Sequence, residues 1–361
     1  MHMTFSPEWA AAYLRHWRKN PALEVTQFLR FPRGSSRDTW FVSYREQAGA
    51  AEVHDLVFRM DWPTGSIEPS PLYHEYFVYE RLGRTQLPIA RALHWEADAD
   101  WTGDAGPFYI RIRVEGDWEV PGFLDPDPKF DELRIAVSKD HLEKLAQVHC
   151  VDWKALGFEE IFPAPPNCEI AGAFYIDQVL QWLEDLQSHG YREGRPIIRE
   201  AAERLRDAAP PAPRISLCKG TNGLGEEVMR NGKVVALSDW EEAHLGDPAA
   251  DFAFMQNFVP EINRDGRNLW GLDKAVEYYR QVSGIGVTAE NVRYYEKVRQ
   301  LKALTYGINA AVSVSRATAA TVRMAWVATE VLNVSKRSLA KTAGIGPGIT
   351  DEHYLDYLQT L

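Results

Sequence analysis

The hydrophobic period that dominates this chain changes between Ile112 and Gly116, and that change limits the architectures open to it. Up to about Ile112 the apolar residues alternate in short runs, and beyond Gly116 they recur at helical spacing. LEVTQFLRF, TWFVSYRE and HDLVFRMDW, between residues 23 and 62, are rich in β-branched and aromatic residues and are joined by PRGSS and QAGAAE. They predict an antiparallel meander. SPLYHEYFVYERLG reads as a helix that starts near Pro71 and stops at Gly83, and IARALHW and FYIRIRV read as two further strands. Ahead of the meander, Ser6 and Pro7 begin a capped amphipathic helix whose apolar residues run from Trp9 to Trp17.

After Gly116, FDELRIAVSKDHLEKLAQVH, GAFYIDQVLQWLEDLQSHG and RPIIREAAERLRDA are helical, and PPAPR at 210–214 closes that run. ISLCKG and KVVALSDW then form a β-rich island around the turn RNGK, and from Asp247 onward the chain is expected to be helical again. The aromatic residues there, among them Tyr279, Tyr294, Tyr295 and Trp326, read as core. The order of elements predicts an α+β, bilobal, kinase-like fold. Residues 1–113 would form an N-lobe of five antiparallel strands with one helix beside the N-terminal one, and 114–361 a mostly helical C-lobe.

Charge and composition exclude several classes. The 361 residues carry 40 Lys and Arg against 51 Asp and Glu, a net charge of -11, and no basic run, so a nucleic-acid clamp is not expected. No stretch approaches the apolar length of a membrane span, and the first residues lack the apolar centre of a secretory signal, so a cytoplasmic protein is expected. Cys150, Cys168 and Cys218 are too few and too scattered for a disulfide framework or a CxxC zinc site, and read as free thiols.

The chemistry concentrates in SLCKGTNGLGEEVMRNGKVVALSDWEEAHLGDPAADFAFM, residues 216–255. From Asp239 through Trp240, Glu241, Gly246, Asp247 and Pro248 to Asp251 it is similar to the IDWE and GDPxxDLA motifs of the aminoglycoside phosphotransferase-like family, relatives of the choline kinases. The similarity continues elsewhere in the same order. PFYIRIRVEG at 107–116 resembles the family's hinge strand, LAQVHCVDW at 145–153 its LAxLHxxDW helix end, and GSSRDTWFV its phosphate-loop segment GxSNxTY. LVFRMDW places Arg59 at the family's strand cation, and HEYFVYERL places Glu75 at its helix glutamate.

This resemblance implies an ATP-dependent phosphotransferase that acts on a hydroxylated small molecule with Mg²⁺. Phosphoryl transfer proceeds through a loose transition state, so placement and neutralisation of charge matter most. Arg59 would hold phosphate oxygens with Glu75 fixing its direction, Asp239 would ligate Mg²⁺ through carboxylate oxygen, and Gly34, Ser35, Ser36 and Thr39 would offer donors to the phosphates. Arg111 and Ile112 would lie against the adenine, where the family often has Met and Glu. For Arg59 the alternative is an exposed strand charge, for Asp239 a surface hairpin carboxylate, and for the Gly34 loop a plain turn.

One departure stands out. Counted back from Asp239, the family's HGDxxxxN falls on KGTNGLGE, so Lys219 takes the His position, Thr221 the catalytic Asp position and Glu226 the Asn position. A threonine hydroxyl is too weak a base for an alcohol's proton. General acid–base help is worth about 10²- to 10⁴-fold, so its loss would slow a kinase without removing what placement and metal supply. Glu226 would join Asp239 in a two-carboxylate metal site. Lys219 would either stabilise charge on the travelling phosphoryl group or pair structurally with Asp247 or Asp251. Glu227, Glu241 and Glu242 would serve as a base if the substrate approached differently, and otherwise read as solvated carboxylates; His149 reads as a helix-packing residue and His244 as a loop surface residue. The same loop leaves two other functions open: a pseudokinase-like binder of nucleotide or metabolite, and transfer of a nucleotidyl or acyl group on the same scaffold.

Overall fold

A computed structural model describes residues 5–31, 36–61, 70–103, 106–188, 195–223, 225–255, 258–316 and 322–342. In chain order the elements begin with α1 (Pro7–Trp17), β1 (Glu24–Arg30), β2 (Arg37–Arg45), β3 (His54–Asp61), α2 (Leu72–Leu82), β4 (Ala92–Glu96), α3 (Ala99–Thr102) and β5 (Phe108–Ile112). There follow α4 (Asp131–His149), α5 (Ala171–Ser188), α6 (Arg195–Asp207), β6 (Ser216–Cys218), β7 (Val228–Arg230), β8 (Lys233–Ala236), β9 (His244–Gly246) and α7 (Ala249–Phe254). The described residues end with β10 (Ile262–Arg264), β11 (Arg267–Trp270), α8 (Leu272–Ser283), α9 (Ala289–Arg316), α10 (Val322–Trp326), a π-helical turn at Val327–Val331 and α11 (Leu332–Thr342). It divides into two compact units, Met1–Pro121 with Gly225–Ala243, and Gly122–Leu224 with His244–Leu361.

The first unit is built on an antiparallel sheet in the order β1-β2-β3-β5-β4. Ser6 caps α1 by accepting the Trp9 N–H at 3.2 Å, and Pro7 occupies the first turn, as the sequence predicts. Ala10, Tyr13 and Leu14 of α1 pack on Val42, Tyr44, Leu56, Phe58, Met60, Phe108 and Ile110. Every second residue of β2, β3 and β5 therefore serves this core, and the pleat turns Arg37, Thr39, Arg59, Tyr109 and Arg111 to the opposite face. Cross-strand register aligns Thr39 with Arg59, and Arg59 with Tyr109. The β7–β8 hairpin belongs to this unit and joins it through bridges from Asp117 to Met229 and from Ile89 to Leu237.

In the second unit α4 packs on α8, and α9 packs on α5, α7 and α11. Its core takes Val137, Leu142 and Leu145 from α4, Ile176 and Val179 from α5, and Leu301, Leu304 and Ile308 from α9. Gly307 permits the close crossing of α9 and α11, since a Cβ there would meet the Leu332 Cβ at 2.8 Å.

Two strand pairings differ from expectation. The partner of β8 is β7, whereas β6 pairs with β9. The region after Asp247 is not wholly helical, because β10 and β11 form a hairpin. Its turn is Asp265-Gly266, both at positive φ (49° and 72°), the left-handed pair that a two-residue hairpin requires. Asn231-Gly232 makes the same turn between β7 and β8, with φ of 52° and 72°.

Candidate functional site

In the first unit the chemistry gathers around Arg59, on the sheet face away from α1. Its Nε donates to Glu75 Oε2 at 3.3 Å and its Nη1 to Thr39 Oγ1 at 3.0 Å. Its Nη2 lies 3.3 Å from Asp239 Oδ1 and 3.5 Å from Glu241 Oε2. Arg59, Thr39, Glu75 and Asp239 are thus brought together, and Arg59 is a half-buried network cation instead of an exposed strand charge. Ser36 is half-buried just before β2, while Gly34 and Ser35 lie outside the described residues.

A second arginine shares the task. Arg37 is buried, and its Nη1 donates to the same Glu75 oxygen at 2.8 Å while its Nε donates to Asp61 Oδ1 at 3.0 Å and its Nη2 reaches the Ser70 carbonyl. Burial alone would raise the Glu75 carboxyl, but Arg59 and Arg37 outweigh it and hold the group below the usual carboxylate range. Glu241 moves the other way, pushed well above its ordinary value by burial and then by Asp239.

Asp239 follows β8 with φ of 62°, a left-handed conformation that costs a non-glycine residue roughly 1–2 kcal/mol. Its N–H donates to Tyr79 Oη at 3.3 Å, and Tyr79 Oη also meets Ser238 Oγ at 3.1 Å. Strain of this kind is kept where the surroundings fix a functional geometry. Glu226 lies half-buried in the turn before β7, in the same unit as Asp239. Its neighbour Glu227 reaches the Asp239 corner directly, accepting the Ser238 N–H at 2.9 Å. Glu227, Glu241 and Glu242 are all buried, contrary to the expectation of solvated carboxylates. For Glu227 and Glu241 the reason is a backbone amide and a guanidinium that replace water.

At the expected hinge, the Arg111 guanidinium sits 5.1 Å from the centre of the Tyr79 ring. The Ile112 N–H donates to the Arg91 carbonyl at 3.0 Å.

In the second unit the loop after β6 is fastened by Asp251. Its Oδ2 accepts the Lys219 N–H and its Oδ1 the Gly220 N–H, both at 2.7 Å, and Gly220 takes φ of 86° to allow this. Asp251 Oδ2 also lies 2.9 Å from His149 Nε2, and His149 Nδ1 lies 2.6 Å from Tyr279 Oη. Burial would raise the Asp251 carboxyl, but the hydrogen bond and charge of His149 overcome that and bring it to about 2. Asp247, by contrast, is pushed up to about 7 by burial. Of the two readings of Lys219, the contact with Asp251 is made by its backbone amide, while its ammonium reaches the Thr221 carbonyl. Thr221 and Asn222 follow, both buried.

A ring nitrogen of His149, Cys218 Sγ and a carboxylate oxygen of Asp251 lie within 4.8 Å of one another. Those atoms are engaged in hydrogen bonds, Cys218 Sγ with the Asp247 carbonyl at 3.4 Å. His244 is buried in β9, its ring 4.6 Å from that of Tyr175, and is not a surface residue. The three cysteines are free.

Arg37 and the hold of Asp251 on the loop backbone escape the sequence reading, whereas Glu241 is named there but expected in solvent. Arg37 had a signal: it stands two residues before Thr39 and four from Phe41 in an alternating strand, so period two sets it on the Arg59 face.

A sequence profile of the phosphotransferase enzyme family matches residues 27–282. Acyl-CoA dehydrogenase family member 10 of Mus musculus is 25% identical over 240 residues, covering 63% of this chain and 20% of that protein. Acyl-CoA dehydrogenase family member 11 of Homo sapiens is 23% identical over 252 residues, covering 64% and 30%. The chain thus spans under a third of the length of these two relatives. Among solved structures, a protein from Ralstonia eutropha assigned to the aminoglycoside phosphotransferases superposes with TM-score 0.62 at 19% identity, covering 94% of this chain and 99% of its own. Macrolide 2'-phosphotransferase MphH from Brachybacterium faecium gives 0.55 at 15%, covering 90% and 98%. A thermostable mutant of aminoglycoside phosphotransferase APH(4)-Ia, in ternary complex with ADP and hygromycin B, gives 0.55 at 14%, covering 93% and 99%. At these identities the likeness shows the α+β kinase-like fold alone.

Proposed function

Because this chain belongs to the phosphotransferase enzyme family, we propose that it transfers the terminal phosphoryl group of ATP, or another nucleoside triphosphate, to a hydroxyl of a small molecule, with Mg²⁺. The observation that carries this reading is the single guanidinium of Arg59, which meets Glu75 of α2 and Asp239 after β8 at 3.3 Å each. A strand cation with its orienting anion and a strained carboxylate are what triphosphate and metal binding require.

The donor set fits the metal. Asp239 offers carboxylate oxygen at a backbone position held in the left-handed region, and Glu226 supplies a second carboxylate to the same ion in this proposal. When bound, Mg²⁺ neutralises charge on phosphate oxygens. Arg59 turns donors toward those oxygens while Glu75, itself gripped by Arg37, restrains its direction. Ser36, with Gly34 and Ser35, belongs to the phosphate loop, and Arg111 and Ile112 to the nucleotide-base side. Phosphoryl transfer needs mainly placement and electrostatics, so a chain with Thr221 at the base position retains slow turnover. Lys219 places its side-chain nitrogen on the Thr221 carbonyl within the same loop. No described helix is long and apolar enough to cross a membrane, and a cytoplasmic site of action is part of the proposal.

Thr221 favours a second reading, a pseudokinase-like binder that holds nucleotide without turnover. Mg²⁺-dependent ATP consumption across a metabolite panel, beside thermal shift with ATP and Mg²⁺, separates the two. Consumption with a phosphorylated product supports the kinase, and binding without consumption supports the binder. A product enlarged by a nucleotide would mean nucleotidyl transfer on this scaffold.

A further inference from the structure

The loop after β6 contains a group that the proposed phosphoryl chemistry does not use. Asn222 is 1% exposed, and neither its Nδ2 nor its Oδ1 has a hydrogen-bond partner among the described residues. A buried carboxamide left in this condition costs folding free energy, because it has given up water for nothing. Its neighbours are anything but loose. Asp251 accepts the backbone N–H groups of Lys219 and Gly220, and the Lys219 ammonium reaches over to the Thr221 carbonyl. The backbone leading to Asn222 is therefore pinned while its side chain is left unpaired, which is how a ligand-recognising group is presented on a rigid support.

We propose that Asn222 recognises the acceptor, and that the acceptor carries a second oxygen beside the hydroxyl it offers. The inference rests on the phosphotransferase reading above. The choice of ligand follows from the carboxamide, which has two N–H donors and a carbonyl acceptor. A phosphate group presents acceptors only and leaves Oδ1 unpaired. A metal cation pairs Oδ1 and leaves Nδ2 unpaired. A vicinal diol, or a hydroxyl next to a carbonyl, brings a donor and an acceptor side by side and satisfies both ends. Thr221, which stands where the family resemblance places a catalytic aspartate, directly precedes Asn222. Recognition of the acceptor thus moves one residue along the loop, from a carboxylate that accepts a proton to a carboxamide that only orients.

Asn222→Leu tests this, since leucine has nearly the same shape and no polar atoms. Melting temperature is measured for both proteins alone, followed by calorimetric titration with D-ribose, myo-inositol and hydroxyacetone, with propan-1-ol as the single-oxygen control. The proposal predicts an unchanged or raised melting temperature for the variant, saturable binding of at least one two-oxygen probe to the wild type, and a loss of roughly 10- to 100-fold in that affinity for the variant. Nucleotide affinity should not change. A clear fall in melting temperature means that the amide has a partner within the fold, and overturns the proposal. Equal probe affinity in both proteins, or no probe binding to the wild type, overturns it too. If two-oxygen binding depends on Asn222 but the wild type neither binds nor consumes ATP with Mg²⁺, the phosphotransferase reading falls and acceptor recognition stands. If nucleotide binding holds and the variant binds the probes normally, this inference alone falls.

Discussion

Replacing Asp251 with Asn should destabilise the second unit by several kcal/mol, in a way that depends on pH. The wild-type carboxylate accepts from two backbone amides at 2.7 Å and faces His149 Nε2 at 2.9 Å. The carboxamide keeps one acceptor oxygen and turns an N–H₂ toward groups that are themselves donors. Loss of a buried charged acceptor with its partners left in place costs about 3–5 kcal/mol. Part of that is electrostatic. Asp251 falls to about 2 in the fold, against about 3.9 in an unfolded chain, a difference of ~2.5 kcal/mol in favour of the folded state at neutral pH. This stabilisation is complete above the unfolded value and is lost as pH falls from about 4 toward 2, with ~1 kcal/mol gone by pH 3. Urea unfolding of wild type and Asp251→Asn at pH 7 and pH 3, followed by tryptophan fluorescence, measures both quantities. The stability gap should be at least about 2 kcal/mol at pH 7 and narrower at pH 3. A gap below about 1 kcal/mol at pH 7, or one that is the same at both pH values, would refute the assignment of Asp251 as the charged anchor of this loop.

Two further outcomes follow from the same contacts. Arg37→Gln removes one of two cations from Glu75 and strands Asp61 and the Ser70 carbonyl, so it should cost about 3–5 kcal/mol in denaturant unfolding and weaken ATP binding in calorimetry; retained affinity would mean that Glu75 does not orient Arg59. Thr221→Asp restores the carboxylate implied by the family resemblance and should raise Mg²⁺-dependent ATP consumption by about 10²- to 10⁴-fold with a responsive acceptor, and an unchanged rate would show that the loop no longer presents position 221 to substrate.

Much of the first unit was legible because the alternation in HDLVFRMDW states the sheet face of every residue: Leu56, Phe58 and Met60 meet α1, and Arg59 must point away. The helix from Leu72 to Leu82 and its glutamate were equally plain. Arg37 was obscured by the serines before it, which read as a phosphate-contacting turn and drew attention from the strand that starts at Arg37 itself. The β10–β11 hairpin was hidden by short strands between long helices, although Asp265-Gly266 is a strong turn signal. Contacts remote in sequence left no local trace. Asp251 lies 31 residues from Gly220, and nothing in GDPAADFA announces which backbone amides it will accept. The burial of Glu241 likewise depends on Arg59, 182 positions away. The side on which His244 lies leaves no trace in the sequence, because strand β9 is three residues long, too short for alternation to show it.

The claim on which the functional account rests is that Asp239 and Arg59 form a working nucleotide and metal site despite the missing aspartate at position 221. Calorimetric titration of ATP with Mg²⁺ into wild type, Asp239→Ala and Glu226→Ala tests it most directly. Saturable one-site binding to the wild type is predicted, with Mg²⁺-dependent affinity weakened roughly 10-fold or more by either substitution. A wild-type protein that takes up neither nucleotide nor metal, or an Asp239→Ala variant that binds both as well as wild type does, would contradict it.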